Sequence, residues 1–208
     1  MTTCSSTARP GGSRHCSRRR QTPRRPGAQS CVIHIRNRAA RCKTRLRILA
    51  RSFVQCGMRA LRFNFRGVGS SDGEFDEARG EVGDALAAIA YLRSRWPDDP
   101  VWVSGFSFGA AVAIRTAVQA AAAGLVSVAP AVSRFAGTLD EPPTCPWLIV
   151  HGDQDELIPV EETLEWVNSL QPGPELQVFA DTGHFFHGKL VELRGAVTAF
   201  IEAKKSRA

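Results

Sequence analysis

Gly105-Phe106-Ser107-Phe108-Gly109 spells G-x-S-x-G, and its spacing suits a nucleophilic serine. A hydroxyl at its ordinary acidity is a weak nucleophile, so it needs exposure and a neighbouring base. The glycines two before and two after let the chain pack tightly around a strained strand-to-helix turn. Such a turn lifts Ser107 above the sheet edge and sets the N–H of Phe108 toward a developing oxyanion. The pattern alone is weak, because glycine and serine are common in loops. Its context adds weight: the apolar run Val101–Val103 ends just before it, and Ala110-Ala111-Val112-Ala113-Ile114 begins just after. Two further loops carry matching chemistry. Gly152–Pro159 holds Asp153, Asp155 and Glu156, and residues 181–188 hold His184 and His187. Each follows an apolar run, so a serine, an acid and a histidine occur in that chain order at the ends of predicted strands. Spacing alone leaves open which aspartate and which histidine act.

The elements that must position these groups follow from periodicity. Strands are expected at Cys31–Ile35, Arg59–Phe65, Val101–Val103, Leu125–Val128, Pro146–His151 and Leu176–Phe179. Helices are expected from Thr44, over Glu81–Trp96, from Ala110, over Pro159–Leu170 and over Lys189–Ala203. Leu46, Leu49, Ala50 and Phe53 share one face of the first, and Leu193, Val197, Phe200 and Ile201 share one stripe of the last. Strands alternating with helices predict an α/β fold, a mostly parallel, doubly wound sheet with its site beyond the carboxyl ends of the strands. The glycine-rich stretch Arg66–Gly73 is no phosphate cradle, since neither G-K-[ST] nor the G-x-G-x-x-G spacing is present.

Charge divides the chain. Residues 1–51 carry thirteen arginines, one lysine and no acidic residue, a net of +14; the overall +7 therefore leaves −7 on the remainder. Residues 1–30 have little to bury and read as disordered. The six cysteines show no C-x-x-C, so zinc is not expected. Cys56 and Cys145 suit free thiols of a reducing, cytoplasmic protein. No apolar run is long enough to span a membrane, and no cofactor is implied. The arginine-rich tail raises nucleic-acid binding as a rival function, but it carries no aromatic residue for stacking.

The motifs taken together resemble the α/β-hydrolase superfamily, and more narrowly its small, lidless bacterial hydrolases. The resemblance runs from about Leu49 to the C-terminus. It rests on Arg62–Gly73 (R-F-N-F-R-G-V-G-x-S-x-G), on Gly105–Gly109 (G-F-S-F-G) and on Gly183–Leu190 (G-H-F-F-H-G-x-L). It implies a Ser107 nucleophile, an Asp155 acid in preference to Asp153, and a His184 base in preference to His187. Phe108 supplies an oxyanion N–H. It also implies hydrolysis of small carboxylic esters or thioesters through an acyl-enzyme, with amide cleavage a weaker variant. His151 reads as structural, and Arg66-Gly67 as shaping the loop near the site. Phe106, Phe108, Phe185 and Phe186 suit an acyl pocket or core packing equally.

The family's H-P-H-P and G-G oxyanion loop has no counterpart in Ile33–Lys43, which contains neither proline nor glycine. The domain is accordingly expected at 49–208. Residues 1–48 are expected to be a basic segment foreign to the fold, the composition a GC-rich gene yields when read out of frame. An organellar transit peptide is the competing reading. On either view the sheet's N-terminal strands are missing or altered, and an impaired, non-catalytic fold is the second rival function.

Overall fold

In the computed structural model, which describes residues 30–35, 40–136 and 141–205, strand alternation sorts side chains onto two faces of one sheet. The elements are β1 (Ser30–Ile35), α1 (Ala40–Gln55), β2 (Arg59–Asn64), α2 (Arg79–Arg95), β3 (Val101–Phe106), α3 (Phe108–Gln119), β4 (Gly124–Val128), β5 (Trp147–Gly152), α4 (Val160–Asn168), β6 (Glu175–Phe179) and α5 (Leu190–Lys204). A short π-helical turn, Val132–Ala136, follows β4. Among the described residues six strands pair in the order β2-β1-β3-β4-β5-β6, all parallel.

Along β3, Trp102 and Phe106 face the stripe of Leu49 and Phe53 on α1 and Val197, Phe200 and Ile201 on α5. Val101 and Val103 face Ile89 and Leu92 on α2 and Ala113, Ile114 and Ala117 on α3. Residues two apart thus fill one face, and both faces are covered, as a parallel sheet requires. The predicted α/β class and mostly parallel sheet are what the chain forms.

The described sheet includes a strand that precedes residue 49. β1 lies inside the sheet, with Val32 opposite Leu61 on one side and Val103 on the other. α1 starts at Ala40 rather than Thr44, over residues that lack the apolar stripe by which the helix was predicted. Arg45 and Leu46 are buried. Residues 1–29, on which the expectations of disorder and foreign reading frame mainly fall, and residues 36–39 lie outside the described residues. The connection between β4 and β5 spans residues 129–146, and its described residues form no lid domain.

Strand order also explains where a site forms. From β1 the chain steps outward to β2, then returns past β1 to β3 and proceeds the other way. Crossovers diverge at β1 and β3, which leaves a crevice beyond their carboxyl ends. Ser107 follows β3 there.

Candidate active site

The turn at Ser107 is built by close packing. Ser107 has φ 56° and ψ −122°, a conformation a side chain rarely adopts. Its N–H donates to the Val128 carbonyl at 2.8 Å, and its carbonyl accepts from Ala110 and Ala111 at 2.9 and 3.2 Å. Gly105 makes this possible, since a Cβ there would lie 2.1 Å from the Gly109 carbonyl oxygen. Phe108 is the first residue of α3, so its N–H belongs to the positive end of that helix.

The histidine must travel. Three strand spacings separate β3 from β6, about 14 Å, yet the loop after β6 brings His184 Nε2 to 3.1 Å from Ser107 Oγ. Between them, the loop after β5 sets Asp155 Oδ2 2.8 Å from His184 Nδ1. A carboxylate only accepts, so Nδ1 carries the proton and Nε2 is left as an acceptor for the serine hydroxyl. The rings of Phe106 and Phe185 flank the imidazole, each with its centroid 5.0 Å away.

Asp155 is fully enclosed. Burial raises its carboxyl, but hydrogen bonds from His151, His184 and the Ile158 N–H outweigh burial and hold it well below the usual carboxylate range. Its Oδ1 accepts from the N–H groups of Leu157 and Ile158 at 2.9 and 2.8 Å. His151, also fully buried, sits 3.3 Å from Oδ2. Its Nε2 lies 2.9 Å from the Ile158 carbonyl, so Nε2 holds the proton and Nδ1 accepts from Thr163 at 3.1 Å. That geometry makes the Ile158 carbonyl the principal partner of His151 and the Asp155 carboxylate a second one.

The remaining candidates fall elsewhere. Asp153 does not reach His184; its Oδ1 accepts from the Thr182 N–H at 3.1 Å, tying the two loops together. His187 faces away toward Arg45, whose guanidinium nitrogen lies 3.3 Å from His187 Nδ1. Arg66 binds Asp84 of α2 through Nε and Nη2, at 3.1 and 2.9 Å, and so ties its loop to that helix. Phe186 is core, edge-on to Phe179. Phe108 packs with Phe65, Phe75 and Phe135. Burial pushes the free thiols of Cys56 and Cys145 up to about 12 and about 11, so neither offers a thiolate near neutral pH.

Residues 28–143 match the family described as serine aminopeptidase, S33. The chain belongs to this family of α/β-hydrolases. The chain is similar to an α/β serine hydrolase without a lid from Xanthomonas campestris, at 34% identity and TM-score 0.79, over 85% of this chain and 83% of that one. An α/β serine hydrolase homologue from Coxiella burnetii is 37% identical, with TM-score 0.76, over 82% and 84%. A Rickettsia prowazekii protein described as uncharacterised is 30% identical over 158 residues, which are 71% of this chain and 66% of the relative, just under two thirds of its length.

Three contributions to this candidate site escaped the sequence reading: the Asp153 clasp, the grip of Glu156 on the His184 N–H at 3.0 Å, and Arg45, which donates to the Phe185 carbonyl. None sits in a motif; each depends on loops that only the folded sheet brings side by side. Among the described residues no cluster of histidine, cysteine and acidic side chains could hold a metal ion, and no helix is long and apolar enough to cross a membrane.

Proposed function

We propose that this hydrolase cleaves small carboxylic esters or thioesters, with Ser107 as nucleophile, His184 as general base and acid, and Asp155 as the acid that orients the imidazole. The observation that carries the reading is the unbroken hydrogen-bond relay from Ser107 Oγ through His184 to Asp155, at 3.1 and 2.8 Å. In the first step Ser107 Oγ bonds to the substrate carbonyl carbon while its proton passes to His184 Nε2, and the carbonyl electron pair becomes an oxyanion. The N–H of Phe108, at the positive end of α3, is the donor assigned to that oxyanion. Collapse expels the alcohol or thiol, which leaves with the proton from Nε2. Water then gives a proton to Nε2 as its oxygen bonds to the acyl carbon. Release of the acid returns that proton to Ser107. Asp155 stays charged throughout and stabilises the imidazolium.

A fluorophosphonate probe should label Ser107, and a panel of esters, thioesters and aminoacyl amides should show turnover strongest among the esters or thioesters. Ser107→Ala should fold as the parent does and lose about 10⁴–10⁶ in kcat. Turnover of esters by that variant at the parent rate would refute the serine reading, and preference for the amides would move the substrate to peptides.

A further inference from the structure

The loop that carries His184 is strained. Asp181 and Phe186 are non-glycine residues with φ 51° and 52°. That backbone region is sparsely populated by side-chain-bearing residues, and it persists only where surrounding bonds hold it. The holding bonds come from two directions. On one side Arg45 of α1 donates to the Phe185 carbonyl. On the other, the four residues 153–156 each bond to the histidine loop. The Asp153 carboxylate accepts from the Thr182 N–H at 3.1 Å, and the Gln154 N–H donates to the Thr182 carbonyl at 3.0 Å. Asp155 takes the His184 ring at 2.8 Å, and Glu156 Oε2 accepts the His184 backbone N–H at 3.0 Å.

The last two bonds grip one residue at both ends. Asp155 alone would leave the imidazole able to swing about its Nδ1 contact whenever the backbone shifted, and Nε2 would then leave Ser107. A bond to the His184 N–H removes that freedom. Gly183 is shaped to it: a Cβ there would lie 2.8 Å from Glu156 Oε2. The Glu156 carboxyl is held below its usual range by N–H donation from His184 and from its own backbone, so it remains a charged acceptor at neutral pH.

The geometry points to Glu156 as a positioning residue: it fixes the His184 backbone so that Nε2 stays within reach of the Ser107 hydroxyl. The assignment rests on the serine-hydrolase reading above, and Glu156 itself touches no reacting atom.

The test is steady-state hydrolysis of p-nitrophenyl acetate by the full chain. Glu156→Ala should lower kcat about tenfold with KM nearly unchanged, the signature of a shifted catalytic group rather than lost substrate binding. Glu156→Gln should recover most of the loss, because its amide oxygen accepts the same N–H. Gly183→Ala displaces the carboxylate without deleting it, at a residue whose φ lies outside the left-handed region. It should reproduce the loss, and the Gly183→Ala/Glu156→Ala double variant should be no slower than either single one. If Glu156→Ala does not fold, Gly183→Ala decides alone. Parent kcat in these variants while Ser107→Ala is inactive would overturn the role of Glu156 and leave the serine reading standing. So would equal losses in Glu156→Gln and Glu156→Ala, or losses that add. Turnover by Ser107→Ala at the parent rate would remove both.

Discussion

Around Ser107 the structure is made by neighbours in sequence, packed inside the protein. β3 is buried along its whole length, and α3 is buried over Phe108–Ile114. The tightest approach, Gly105 against Gly109, spans four residues. Around Asp155 and His184 the structure is made by loops 28 and 29 residues apart, joined by hydrogen bonds, with Asp153, Gln154 and Glu156 exposed to solvent. The elbow is therefore coupled to the core, where a single extra methyl forces strain. The clasp is coupled to water, where a lost hydrogen bond is partly replaced. Damage to the elbow should cost stability, and damage to the exposed bonds of the clasp should cost geometry.

The sharpest break in the clasp is Asp155→Asn. An amide would present a donor or the wrong acceptor to Nδ1, and kcat should fall about 10⁴ if the imidazole takes the wrong tautomer. The same substitution reports on pH. Because the folded-state pKa of Asp155 is depressed, its contribution to stability is present above the unfolded value of about 3.9 and is lost as pH falls through the folded one. The unfolding midpoints of the parent and Asp155→Asn should therefore differ at pH 7 and converge in acid. Urea titrations at a series of pH values check this, and a constant difference down to pH 2 would contradict it.

Gly105→Ala tests the elbow. Its Cβ would meet backbone rather than a flexible side chain, so β3 and α3 must separate, and urea unfolding should show a loss of about 3 kcal/mol. If stability holds while kcat collapses, the contrast between the two regions is wrong.

The smallest effect is expected of Asp153→Asn. Its amide oxygen still accepts from Thr182, so kcat should remain within about threefold of the parent, with stability down by about 1 kcal/mol at most. A loss as large as that of Asp155→Asn would mean the wrong aspartate had been assigned to His184.

The amino-acid sequence alone determined the parts whose physics is local. Alternation in Val101–Phe106 put its side chains on two faces, and Gly105 and Gly109 at fixed distance from Ser107 specified a turn that larger residues cannot enter. The same periodicity placed a strand ahead of each loop that carries a candidate functional residue, and so the class of fold. Tertiary structure decided the rest. It inserted β1 between β2 and β3, which the loss of motif resemblance before Leu49 had hidden, because strand pairing is made by backbone groups that every residue carries. It separated Asp155 from Asp153, two aspartates in one loop with the same intrinsic chemistry, because only one reaches the histidine while the other closes on Thr182. It recruited Arg45 and Glu156, whose partners lie 140 and 28 residues away. A side chain's type and spacing state what it can bond to; which partner stands opposite is settled only when the sheet sets the loops side by side.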